Sequence, residues 1–292
     1  MRLNYYISAI IASLVLVACT TDIDIKLDGV TPSLVVDGCV TTDTVAHTVY
    51  LKKTSDYFSN KAASSVSGAT VTLSDGNTTI TLTEDPSVKG AYKTPSNYYG
   101  VVNRTYTLTI TNVDIDGDGV KEAYKADCQI ASRPLLEKIS VEKTQIFNKD
   151  MWAVKVWGQD HINEKNYYMG RTYKNNVCVS DSIQEWGVTN DEFVKDIYLN
   201  GTTYMYFSSD KKDEILHNND RIGFEFSGIT EDYKRFIDEA TAEFWGRNPL
   251  FGGQPSNIRT NIRLISPSGV STSPRGYFAA YSIARASVVY KE

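Results

Sequence analysis

From Leu34 onward the chain alternates apolar and polar residues at every second position, and that period excludes most folds at once. A helix returns to one face after three or four residues, whereas a period of two fits a strand whose two faces meet different surroundings. Leu34, Val36, Gly38 and Val40 oppose Val35, Asp37 and Cys39, and His47, Val49 and Leu51 oppose Thr48, Tyr50 and Lys52. The pattern returns over residues 69–73, 79–83, 106–111 and 123–130. Turn chemistry separates these runs, as in Asp75-Gly76-Asn77, Pro86 to Gly90, Tyr99-Gly100 and Asp116-Gly117. Short strands at roughly ten-residue spacing predict an immunoglobulin-like β-sandwich, here over residues 33–133. Arg133-Pro134 then interrupts the pattern, because Pro supplies no ladder donor and restricts its predecessor, and the domain boundary is expected there.

Beyond it, alternation resumes over residues 136–141, 152–157, 167–173, 204–207, 221–226 and 276–290, now richer in aromatics. One segment has a different period. Thr230 is a helix cap, Glu231 and Asp232 suit the positive end of a helix dipole, and Tyr233, Phe236, Ile237, Ala240 and Phe244 recur at helical spacing before Gly246. The fold class expected is therefore mainly β: the sandwich, then a second antiparallel β domain over residues 134–292 carrying one amphipathic helix at 230–245. The Gly-, Pro- and Asn-rich run at 246–261 reads as a surface loop. Hydrophobic residues at 41% are enough to build a core. A formal charge of −5 argues against a basic nucleic-acid binder.

The N-terminus has its own signal. Arg2 is followed by an uncharged stretch from Leu3 to Val17 and then Ala18-Cys19, the layout of a secretion signal. The stretch is shorter than the roughly 18 to 20 apolar residues of a spanning helix. Leu16-Val17-Ala18-Cys19 resembles the lipobox of bacterial lipoproteins, which implies cleavage of residues 1–18, lipidation at Cys19 and a linker over residues 19–32. Acyl chains contribute about 0.8 kcal/mol per buried methylene, so the body is expected to be tethered to a bilayer without entering it. Asp22 and Asp24 behind the Cys resemble the acidic export signal of surface lipoproteins in the Bacteroidetes, which implies the outer face of the outer membrane. Asp43-Thr44-Val45 and Asp181-Ser182-Ile183 resemble the O-glycosylation tripeptide of the same group.

Further motifs fall in a recognisable order: Val35-Val36-Asp37-Gly38, LKKTSDYF at 51–58, VSGATVTL at 66–73, Gly90-Ala91-Tyr92 and Thr105-Tyr106-Thr107-Leu108. Asn248-Pro249, Pro255, Asn261-Ile262 and Gly276-Tyr277-Phe278 follow in the second half. Together they resemble a Bacteroidetes outer-membrane lipoprotein family known as domain of unknown function 4249, commonly encoded near TonB-dependent receptors. The resemblance implies a membrane address, a receptor as partner and a β-sandwich, and it brings no catalytic residues with it.

Candidate chemistry is sparse. Asp114, Asp116, Asp118 and Glu122 occupy positions one, three, five and nine of a loop with Gly119 at six, which is how oxygen ligands wrap Ca²⁺. Lys125 stands where the bidentate acid belongs, and a polar hairpin turn is the preferred reading, with calcium as its alternative and no other cofactor expected. Cys39 and Cys128 can close a bridge worth about 2 to 4 kcal/mol or serve as small buried hydrophobes, and both readings stay open. His47, His161 and His217 lack ligand spacing for zinc, and neither a GxSxG elbow nor an HExxH motif is present. Trp186 and Trp245 are candidate stacking platforms, and Leu250 and Phe251 are candidate partner contacts within the 246–261 loop. The expected function is a non-catalytic binding or accessory subunit of a TonB-dependent nutrient-uptake system. A surface adhesin or fimbria-like subunit is the first alternative and a surface hydrolase the second.

Overall fold

The computed structural model describes residues 31–55, 63–192, 195–246, 257–266 and 273–292. The signal segment, Cys19, Leu250 and Phe251 lie outside the described residues. Alternation becomes strand wherever it runs long enough. The first half supplies β1 (Leu34–Thr41), β2 (Thr48–Lys53), β3 (Thr70–Ser74), β4 (Thr79–Thr81), β5 (Thr83–Glu84), β6 (Ala91–Lys93), β7 (Thr105–Val113) and β8 (Glu122–Gln129). The second half supplies β9 (Leu135–Ile146), β10 (Lys149–Gln159), β11 (Tyr167–Lys174), β12 (Val177–Cys178), β13 (Gly187–Asn190), β14 (Tyr198–Ser208) and β15 (Arg221–Ile229). Helix α1 (Glu231–Phe244), β16 (Arg263–Ser266) and β17 (Arg275–Val289) complete it. The protein is mainly β with one α-helix among the described residues.

A nine-stranded sheet forms the spine, in the order β12-β11-β15-β17-β1-β2-β6-β5, with β13 also paired to β11. Its centre is β17, which pairs parallel with β1 along its first half and antiparallel with β15 along its second. The expected boundary at Arg133-Pro134 falls in the β8–β9 link, and the spine takes strands from both sides of it. Residues Thr31–Glu292 form one compact unit.

Side-chain alternation on β17 assigns the layers. Phe278 and Ala280 face the first core, which lies beneath the five-stranded sheet β16-β8-β7-β3-β4 and includes Leu34, Val36, Leu108 and Tyr124. Farther along the same face, Ala286, Val288 and the following Tyr290 join a second core under the three-stranded sheet β14-β10-β9, with Trp152, Phe207, Phe224 and Phe226. The opposite face presents Tyr277, Ala279, Tyr281 and Ile283 to α1. The Thr230 hydroxyl accepts the Tyr233 amide at 3.2 Å, as an N-cap should. Tyr233 and Ile237 are the buried residues of the helix, and Tyr233 lies 5.0 Å from the ring of Tyr277. Phe244, placed on the apolar face by its spacing, is instead 59% exposed.

The β1–β17 junction depends on a backbone that side chains rarely adopt. Gly276 has φ +81°, and a β-carbon there would sit 1.9 Å from the Val36 carbonyl oxygen. Gly276→Ala is therefore expected to destabilise the fold by more than about 2 kcal/mol, read as a lower urea midpoint at unchanged m-value.

Candidate functional site

The helix leaves part of the spine's outer face uncovered. There β1, β2, β11, β15 and β17 floor a groove of about 720 Å³, walled by Trp186, Tyr233 and Phe236. Register places a ladder of charge across it. Arg171 pairs with Glu225 on the next strand, and Glu225 pairs with Arg285 on the strand after that. Opposite charges directly across neighbouring strands attract. Glu225 is 1% exposed; its carboxylate accepts Arg171 Nε at 3.0 Å, Arg285 Nε at 3.0 Å, Arg285 Nη2 at 2.6 Å and the Tyr173 hydroxyl at 3.3 Å. Arg171 Nη2 closes a further short contact on the same carboxylate. Two cations on one anion leave a surplus, which Asp43 balances by a bidentate pair with Arg285 at 2.8 and 2.5 Å. The Arg171 guanidinium also lies 5.8 Å from the Trp186 ring.

Electrostatics then settle which protons the groove holds. Hydrogen bonding from Arg285 keeps the Asp43 carboxyl below its usual value, against a smaller opposing effect of burial. Burial pushes the Cys39 thiol up, carries the Tyr173 phenol to about 12 and raises Tyr281 well above the ordinary tyrosine value. Burial lowers the His47 imidazole. Asp37 is open to solvent yet crowded by the groove walls, and this desolvation raises its carboxyl against the pull of Lys52. At neutral pH the lining therefore presents neutral hydroxyls, a thiol, aromatic faces, guanidiniums already matched to carboxylates, and the Asp37 carboxyl, which has no salt bridge among the described residues.

The family model described as a domain of unknown function, DUF4249, matches residues 20–287. The chain belongs to this family. No curated protein matches it. The groove and its ladder lie within the span shared with the DUF4249 family.

The residues singled out from sequence are scattered through this DUF4249 fold. Trp186 walls the groove, whereas Trp245 caps the far end of α1, 71% exposed and edge-on to Phe244. Asp114, Asp116 and Asp118 do converge, with carboxylate oxygens within 4.8 Å of one another in the β7–β8 turn. Glu122 leaves that set: it is 2% exposed, its carboxylate accepts the Ile115 amide at 3.1 Å, and burial raises its pKa. The turn's carboxylates are engaged with its own backbone, Asp114 accepting the Gly117 and Gly119 amides at 2.7 and 3.1 Å. Cys39 and Cys128 do not bridge; both are free thiols. Alternation along β1 sends Cys39 to the groove face, where its sulfur lies 3.7 Å from the Tyr281 hydroxyl. Cys128 faces the first core on the other side of the spine and accepts the Ala280 amide at 3.1 Å.

Sequence reasoning missed the ladder itself. Its one sign was a charge set inside each of three otherwise uncharged strand runs: Arg171 in YYMGRTY, Glu225 in IGFEFSG and Arg285 in SIARASV. Glu225→Gln leaves the largely buried Arg171 guanidinium without its counter-charge, while Arg285 keeps Asp43, and is expected to cost about 3 kcal/mol in urea denaturation. Because the folded-state pKa of Asp43 is depressed, its pairing with Arg285 contributes fully above the ordinary value of 3.8 and is lost as pH falls through the lower, folded-state pKa. Asp43→Asn should accordingly flatten the acid side of the stability–pH curve below about pH 4 while changing its slope little above pH 6.

Proposed function

We propose that this chain is a lipid-anchored outer-membrane protein that acts as a non-catalytic binding or accessory subunit of a TonB-dependent nutrient-uptake system, with the spine groove as its ligand surface. The observation that carries the reading is the groove's composition. Its Arg171, Glu225, Arg285 and Asp43 charges are matched to one another in a ladder, so donors and aromatic faces are preorganised around the Cys39 thiol. A thiol held protonated by burial suits recognition better than attack. The lipobox-like Leu16-Val17-Ala18-Cys19 supports a tether ahead of the body, and among the described residues no helix is long and apolar enough to cross a membrane. The resemblance to lipoproteins encoded near TonB-dependent receptors supports the choice of partner.

The adhesin reading draws on a different observation. Phe147 sits at the tip of the β9–β10 hairpin with φ +50° and is 94% exposed, an apolar contact offered at the end of a long ribbon.

Palmitate labelling of growing cells is expected to mark the protein and to fail for Cys19→Ser. Protease shaving of intact cells should remove the body. Detergent-solubilised outer membranes should yield the chain together with a TonB-dependent receptor, and its recovery alone would overturn the partnership. Loss of adherence on deletion, with growth on every nutrient intact, would favour the adhesin.

A further inference from the structure

A second, more enclosed space lies on the other side of the spine. Between the three-stranded sheet and strands β11, β13 and β15 there is a cavity of about 240 Å³. An apolar cavity of about 150 Å³ holds benzene, so this one has room for a single ring with a short tail. Leu136, Val156 and Leu199 supply apolar wall, and Tyr168, Tyr204 and Phe226 supply aromatic wall, with ring centroids 4.8 Å apart for Tyr168 and Phe226 and 5.1 Å for Tyr204 and Phe226.

The charged residue in this lining is Asp160, which is 3% exposed. Its carboxylate accepts the Tyr168 hydroxyl at 2.6 Å and the Asp196 amide at 3.0 Å, and among the described residues no Lys, Arg or His pairs with it. A second buried carboxylate stands nearby. Tyr168 is paired with Thr189, and the ladder continues through the Asp191 amide to the Asn166 carbonyl at 3.1 Å. Asn166 and Asp191 lie just beyond the ends of β11 and β13 and outside the cavity lining, with Asp191 near enough to help raise the Tyr168 phenol above its ordinary value. Asp191 is 2% exposed and accepts the Asn166 amide at 2.8 Å, again without a cation among the described residues. Asn166 is 7% exposed, and its side-chain Oδ1 is buried with no hydrogen-bond partner. Lys165, the adjacent cation, is turned to Glu231 at 3.7 Å.

Two buried carboxylates without a counter-cation and an orphaned amide oxygen are costly to maintain in isolation. Asp160, the one of these that lines the cavity, is complementary to one kind of guest. We infer that this cavity binds a small organic ammonium ion, its charge against Asp160 with Asp191 behind, and its apolar body among Tyr168, Tyr204 and Phe226. A bare metal ion fits less well, because Ca²⁺ takes about six to eight oxygens and this lining is chiefly apolar. The site is separate from the groove and independent of any lipid anchor.

Isothermal titration of the purified full chain with 2-phenylethylammonium tests the assignment, with 2-phenylethanol, 3-phenylpropionate and calcium chloride as comparators. The amine is expected to saturate one site, the alcohol to bind at least about tenfold more weakly, and the carboxylate not to bind. Asp160→Asn, which keeps an acceptor for Tyr168, gives up the one for the Asp196 amide and removes the charge, should weaken the amine about tenfold relative to the alcohol. Leu199→Trp, which fills the cavity, should abolish both. Equal affinity for amine and alcohol, an amine indifferent to Asp160→Asn or to Leu199→Trp, or competition in which calcium displaces the amine would each overturn the inference. Should Asp160→Asn fail to fold, the amine–alcohol comparison on the unsubstituted chain still decides it.

Discussion

The rest of the structure depends on the double pairing of β17, parallel to β1 and antiparallel to β15. The parallel half joins the last strand to the first, a pairing between residues at opposite ends of the described chain. No short turn can enforce it, so the loop-closure entropy must be met by burial of Leu34, Val36, Phe278 and Ala280 in one shared core. Gly276 allows the two backbones to approach at its start. Once that register is set, one face of β17 is committed to both sheet-on-sheet cores and the other to α1 and the groove.

The same register creates the polar features. Arg171, Glu225 and Arg285 meet because three strands align them, and none is a sequence neighbour of another. A fully desolvated carboxylate such as Glu225 is tolerated only with several charge-assisted donors, and it has them. The cavity on the opposite side of the spine has the reverse balance. There Asp160 is nearly as deeply buried as Glu225 but is satisfied by the Tyr168 hydroxyl and the Asp196 amide alone. One molecule thus holds a groove spanned by a closed charge ladder and a cavity whose buried Asp160 has no cation partner among the described residues.

Local patterning was a good guide to elements and a poor one to neighbours. The Thr230 cap and the Tyr233–Ile237 face of α1 follow from sequence because both are interactions within a turn or two. β6 and β16, with three and four residues, escaped it because so short a run has no period to read. Glu122 looked like a calcium ligand by spacing, and burial turned it inward to the Ile115 amide. For Cys39 and Cys128 the sequence left a bridge and small buried hydrophobes equally open, and the two faces of the spine separate them as free thiols.

By itself, then, the amino-acid order determined the longer strands, the helix and the turn residues between them, since hydrophobic period, capping and backbone freedom act over a few residues. It also contains the lipobox-like segment at its start, which is a linear signal. The partner of β1, the charge ladder, the separated thiols and the anionic cavity were decided only by tertiary structure. Their physical reason is common: each depends on strand register and on which face of the spine a side chain occupies, and both are set by burial between residues far apart in the chain.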